Sequence, residues 1–62
     1  MKLGYDSSSQ RYMLNGYGLH AGDPIDVIND DGTKTETRIE ADEKGWYIVG
    51  FEGQYPEDLE VE

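Results

Sequence analysis

Residues 34 to 40, Lys-Thr-Glu-Thr-Arg-Ile-Glu, alternate strictly. Thr35, Thr37 and Ile39 fall on one side of an extended chain and Lys34, Glu36, Arg38 and Glu40 on the other. A period of two marks a β-strand with one face on a core and one face in water. Such a strand needs neighbours, and both flanks supply one. Upstream, the Gly22-Asp23-Pro24 breaker is followed by Ile25-Asp26-Val27-Ile28, and Asn29-Asp30-Asp31-Gly32 provides the turn, since Asn, Asp and Gly tolerate the positive φ angles of hairpin loops. Downstream, Asp42-Glu43-Lys44-Gly45 reverses the chain into Trp46-Tyr47-Ile48-Val49, a run too apolar to be solvated on both faces. The stretch from Leu19 to Gly50 therefore reads as consecutive antiparallel strands.

The outer segments extend this pattern. Leu3-Gly4-Tyr5 and Arg11-Tyr12-Met13-Leu14 flank the polar turn Asp6-Ser7-Ser8-Ser9-Gln10 as an opening hairpin, which Asn15-Gly16-Tyr17-Gly18 closes. Phe51 to Pro56 is a loop, and Leu59-Glu60-Val61-Glu62 alternates as a last edge strand whose carboxylates discourage pairing with another copy. No helix is required beyond a single turn at Pro56-Glu57-Asp58. Short strands at close spacing predict an all-β fold, a small antiparallel barrel of five to six strands without disulfides. Its expected core is Tyr5, Tyr12, Leu14, Ile25, Val27, Ile39, Tyr47, Val49, Leu59 and Val61.

Sixty-two residues make one domain, 1–62. A chain this short buries only about 60% of the surface its unfolded form exposes, so its stability margin is thin. Small secreted domains offset this with disulfides; the chain has no cysteine, which favours a reducing compartment. Met1 to Asp6 lacks the apolar run of a signal peptide and no segment has the length of a membrane span. The expected location is cytoplasmic, without membrane contact.

Catalytic chemistry has little to build on. His20 is the only histidine, and without cysteine a zinc site would need an uncommon set of one imidazole and carboxylates. Gly16-Tyr17-Gly18-Leu19-His20-Ala21 fits a dinucleotide fingerprint, but Gly22-Asp23-Pro24 follows at once, where a helix would have to start to receive the pyrophosphate. Asp26 to Gly32 fails as a calcium loop: with Gly32 in the glycine position, the first ligand position falls on Val27. Ser7, Ser8 and Ser9 have no nearby base and read as turn residues. The expectation is a protein that is not an enzyme, with no cofactor and no metal.

Charge and aromatics point to binding instead. Fourteen acidic residues against five basic ones give a net charge of −9. Such a field opposes direct contact with nucleic acid and favours a protein partner with a basic surface. Glu57, Asp58, Glu60 and Glu62 form the longest stretch of carboxylates without a basic residue between them. Five tyrosines, one tryptophan and one phenylalanine exceed what so small a core can hide. Tyr17, Trp46 and Tyr55, in or beside turns, are the candidates for an exposed contact surface. The expected function is that of a non-enzymatic interaction module acting through Tyr17, Trp46, Tyr55, Glu57, Asp58, Glu60 and Glu62. Its alternative is an acidic nucleic-acid mimic that blocks the DNA- or RNA-binding cleft of a defence nuclease or regulator. Carboxylates on alternate strand residues lie about 6.6–6.8 Å apart, close to two base rises of one DNA strand. Arg38 interrupts the Glu36 and Glu40 row.

The blocks Leu19-His20-Ala21-Gly22-Asp23, Thr37-Arg38-Ile39-Glu40-Ala41-Asp42 and Gly45-Trp46-Tyr47-Ile48-Val49-Gly50, with Val27 and Asp31-Gly32 between them, resemble a family of very short acidic proteins of unknown function. That resemblance implies encoding by Gram-positive bacteria, their phages and conjugative elements, and it implies no activity. The chain departs from the pattern at Lys34, where relatives of that kind carry tryptophan, and in the acidic ending Asp58 to Glu62. The order of Tyr5-Asp6, Gly22-Asp23, Asp31-Gly32 and Tyr55-Pro56 is also similar to that of Src-homology-3 barrels, a likeness that supports the barrel and, with Trp46 one strand too late, not peptide binding.

Overall fold

The structure is a computed structural model describing residues 1–62. Six strands follow one another: β1 (Gly4–Asp6), β2 (Arg11–Leu14), β3 (Tyr17–Gly18), β4 (Pro24–Ile28), β5 (Lys34–Asp42) and β6 (Gly45–Ile48), with a 3-10 turn at Pro56–Asp58. They form two antiparallel sheets, β1-β2-β3 and β4-β5-β6. The alternation in residues 34–40 is realised toward the middle of β5, where Ile39 is fully buried and Thr37 half-buried while Glu36 and Arg38 face solvent; Thr35, expected on the inner face, is exposed. Across β4 and β5, Ile25 lies opposite Thr37 and Val27 opposite Thr35. Ile39 meets Ile48 across β6.

The β5–β6 hairpin differs from expectation in a way that reorients a whole strand. β5 runs on to Asp42, which pairs with Gly45, leaving only Glu43 and Lys44 in the loop; Gly45 has φ +124°, a backbone shape open to glycine. That register places Trp46 and Ile48 on the side of Ile39, so Ile48 is fully buried and Tyr47 and Val49, expected inside, are half-buried on the other face. A run of consecutive apolar residues carries no alternation of its own, and only the turn length sets its parity.

The first sheet is held by turn chemistry. Asp6 accepts hydrogen bonds from the Ser8 N–H and from the Ser8 and Ser9 hydroxyls, at 3.2, 2.9 and 2.8 Å, closing the turn between β1 and β2. Asn15 and Gly16, at φ 51° and 79°, form the two-residue loop between β2 and β3, where positive φ at both positions matches the strand twist. Tyr12 of β2 is buried, but Tyr5 opposite it is 51% exposed rather than in the core, because β1 is a sheet edge with nothing beyond it. The Tyr5 ring packs edge-on to Tyr12 at 5.0 Å. Leu14 is half-buried against the core, and Leu3 and Leu19 join the core without having been expected there.

The apolar faces of the two sheets meet over Leu3, Tyr12, Leu19, Ile25, Val27, Ile39, Ile48, Leu59 and Val61. The barrel expected from the sequence does not close. Closure needs backbone pairing around the whole ring, whereas β1 pairs only with β2 and β6 only with β5; β1 and β3 are also too short to bridge the gap. The chain end does run along β4 as an edge: Glu62 N–H donates to Asp26 O at 2.9 Å, Ile28 N–H to Glu60 O at 2.9 Å, and Val61 N–H to Met1 O at 2.8 Å. Val61 thereby sits opposite Val27 with no exposure. No helix is long and apolar enough to cross a membrane.

Candidate functional site

An open cleft of about 670 Å³ separates the β5–β6 hairpin from the loop at 52–55. It is lined by residues of both, among them Trp46, Tyr47 and Tyr55, with Asp42, Glu52 and Lys44 as its charged residues. Each wall is set by local backbone chemistry. Asp42 receives the Lys44 N–H at 2.8 Å, tightening the hairpin loop. Gly50, at φ 89°, turns the chain back after β6, and its N–H donates to Glu52 at 3.0 Å. This bond holds the Glu52 carboxyl below the usual carboxylate range. The loop is pinned by Phe51 N–H to Ile48 O at 2.9 Å and Gln54 N–H to Phe51 O at 3.0 Å.

Trp46 links the cleft to the core. Its indole Nε1 donates to Gln10 O at 3.1 Å, its ring stands edge-on to Tyr12 at 6.4 Å, and it packs against the buried cluster while remaining part of the cleft wall. Tyr55 is the contrasting case, 71% exposed. Two of the aromatic residues singled out in the sequence thus converge. Tyr17 does not join them: it lies on β3, with its hydroxyl 3.5 Å from His20 Nδ1. Tyr47, Asp42 and Glu52 were missed, Tyr47 because its parity was misread and the two acids because each reads alone as a turn residue.

The carboxylates at the chain end lie outside the cleft and are less free than their spacing implied. Glu60 forms an ion pair with the N-terminal ammonium and Glu62 with Lys34. Glu57 accepts the Tyr12 hydroxyl at 2.6 Å, and only Asp58 has no side-chain partner. Distant parts of the chain supply the cations that the local sequence lacks. On the outer face of β4 and β5, Asp26 stands opposite Glu36, beside Glu62 and near Lys34, and Arg38 pairs with Glu40 at 2.7 Å, so positive charge breaks up the acidic row. His20 faces Asp23 at 3.6 Å, and no three of the His, Asp and Glu side chains converge as a metal site.

The Tyr12–Glu57 contact carries a pH dependence. Burial, and then the adjacent Glu57 carboxylate, push the Tyr12 phenol above its ordinary value. The folded state therefore holds this proton more tightly than the unfolded state. The resulting stability is complete below the ordinary tyrosine value of about 10 and is lost as pH rises beyond it. Denaturant titrations above that pH should show falling stability, and Tyr12→Phe should flatten the fall.

Across residues 1–62 the chain matches the domain of unknown function DUF5348, and it belongs to that family. No curated protein and no solved structure matches it.

Proposed function

We propose that this DUF5348 member is a non-enzymatic interaction module that grips a basic protein partner in the cleft of Trp46, Tyr47 and Tyr55. The observation that carries this reading is that Trp46, Tyr47 and Tyr55 line one cleft together with the carboxylates of Asp42 and Glu52 and a single cation, Lys44. Aromatic rings offer large contact area at low entropic cost, and they attract cations to their faces. The overall charge of −9 steers a basic surface toward the protein and repels nucleic acid. In the setting that the family resemblance implies, a phage or conjugative element, such a module serves as an accessory or inhibitory factor.

The test is capture of a partner from host extract by the wild type and by Tyr55→Ala. Removing a ring that is 71% exposed leaves folding within about 0.5 kcal/mol. Loss of an interface anchor costs about 2 kcal/mol or more, so binding should weaken more than about tenfold. It should also weaken with salt as the Debye length shrinks from about 30 Å at 0.01 M to 3 Å at 1 M. Undiminished capture by Tyr55→Ala contradicts the cleft as the working surface. Displacement of the partner by a DNA or RNA oligonucleotide, with Tyr55→Ala unaffected, favours nucleic-acid mimicry.

A further inference from the structure

The fold treats the two asparagines of this chain in opposite ways. Asn29 is half-buried and held: its Nδ2 donates to the hydroxyls of Thr33 and Thr35, at 3.0 Å each, and Asp30 follows it. Asn15 is exposed, is followed by Gly16, and makes no hydrogen bond through its side chain. The Gly16 N–H has no backbone partner either, and no atom lies within 4 Å of the place a Cβ would occupy on it. An amide nitrogen and the carbonyl carbon of a primary amide are therefore neighbours along the chain, and nothing engages either of them. Asp31-Gly32 is the same pairing with a carboxylate, and there both groups are occupied. Gly32 N–H donates to Asn29 O at 2.9 Å, and the Asp31 carboxylate accepts from the Thr33 N–H and hydroxyl at 3.0 and 2.6 Å. The loop at Asn15 is also weakly restrained. It is closed by β3, a two-residue edge strand whose Tyr17 is 55% exposed, and such a hairpin end opens far more often than the whole domain unfolds.

We propose that Asn15 is a site of spontaneous deamidation, and that its isoaspartate product opens the β2–β3 hairpin. The Gly16 nitrogen bonds to Asn15 Cγ, the Cγ–Nδ2 bond breaks, and the Gly16 amide proton leaves with Nδ2 as ammonia. Water then opens the cyclic imide. Hydrolysis at Cγ returns an ordinary main chain with aspartate at position 15. Hydrolysis at the main-chain carbonyl gives isoaspartate, in which the chain runs through Cβ and Cγ and so gains an atom. Aspartate tolerates the positive φ of this position much as asparagine does. Isoaspartate lengthens a loop whose two residues match the twist of its strands, so Leu14 and Tyr17 lose their pairing. Leu19, just beyond β3, is buried and donates its N–H to Tyr12 O at 2.8 Å, so the disturbance reaches the core. The reaction needs no partner and is independent of what the cleft binds.

The experiment keeps the intact protein in ¹⁸O-labelled water at mildly alkaline pH and separates the more acidic products by anion exchange. Mass spectrometry with electron-transfer fragmentation then locates the label and distinguishes isoaspartate from aspartate. Label should enter at position 15 more than about tenfold faster than at position 29, since the two hydrogen bonds of the Asn29 amide must break before attack. Both products should form at position 15. Tyr17 and Leu19 direct their N–H groups at β2. In the purified isoaspartate form these two amide protons should exchange more than about tenfold faster than in the untreated protein, whereas in Asn15→Asp, which has the same charge and an unaltered main chain, they should stay within about threefold. Label entering at position 29 or 31 as fast as at 15 overturns the site. So does the absence of label at 15 once a free peptide of residues 13–19 has reacted fully in the same buffer. Equal exchange of the Tyr17 and Leu19 amides in the isoaspartate form and in Asn15→Asp overturns the opening of the hairpin.

Discussion

Ile39→Ala should lower the stability of this protein by about 2–5 kcal/mol in denaturant titrations followed by circular dichroism, because a fully buried branched side chain is replaced by a cavity. A domain of this size has only about 3–9 kcal/mol to lose. The variant should therefore populate the unfolded state measurably even without denaturant. The reason is positional: Ile39 sits in the middle strand of its sheet, opposite Ile48 on β6 and in one buried cluster with Ile25 and Val27 of β4. Glu36→Gln, on the exposed face of the same strand and opposite Asp26, is the matched control. It removes a like-charge contact and should shift stability by no more than about 0.5 kcal/mol. A cost below about 1 kcal/mol for Ile39→Ala would contradict the packing described here.

Val61→Asp should be more damaging still and should leave the chain unfolded. The side chain at 61 has no exposure, faces Val27, and stands among apolar neighbours with no cation in the buried cluster. A carboxylate there either loses its hydration at a cost of several kcal/mol or takes up a proton. The adjacent position behaves differently. Glu60→Gln removes an exposed ion pair with the terminal ammonium and should cost less than about 1 kcal/mol. A folded spectrum for Val61→Asp at neutral pH would show that residues 59–62 do not lie against β4 as described.

The contrast between these neighbouring positions marks what could be read before the fold was known. The period of two in residues 34–40 identified β5 and its buried Ile39, and the alternation of Leu59 to Glu62 placed Leu59 and Val61 inside. Asn15-Gly16 and Asp42 to Gly45 were legible as turns because positive φ is a property of the residues that occupy it. The cleft was half legible. Trp46 and Tyr55 were chosen as aromatic residues beside turns, but Tyr47 was assigned to the core, since nothing within Trp46-Tyr47-Ile48-Val49 distinguishes its two faces.

Local chemistry thus determined the strands, the turns, the absence of disulfides and the surplus of acid, because each depends on residue type and on neighbours a few positions away. Tertiary structure alone decided the rest. A hairpin loop of Glu43 and Lys44 set the facing of β6 and put Ile48 rather than Tyr47 inside. The shortness of β1 and β3 left two sheets instead of a closed barrel. Met1 and Lys34, remote in sequence, met Glu60 and Glu62 and tied down carboxylates that look unopposed along the chain. These outcomes depend on register and on contacts between distant segments, which side-chain pattern constrains only where a strand alternates.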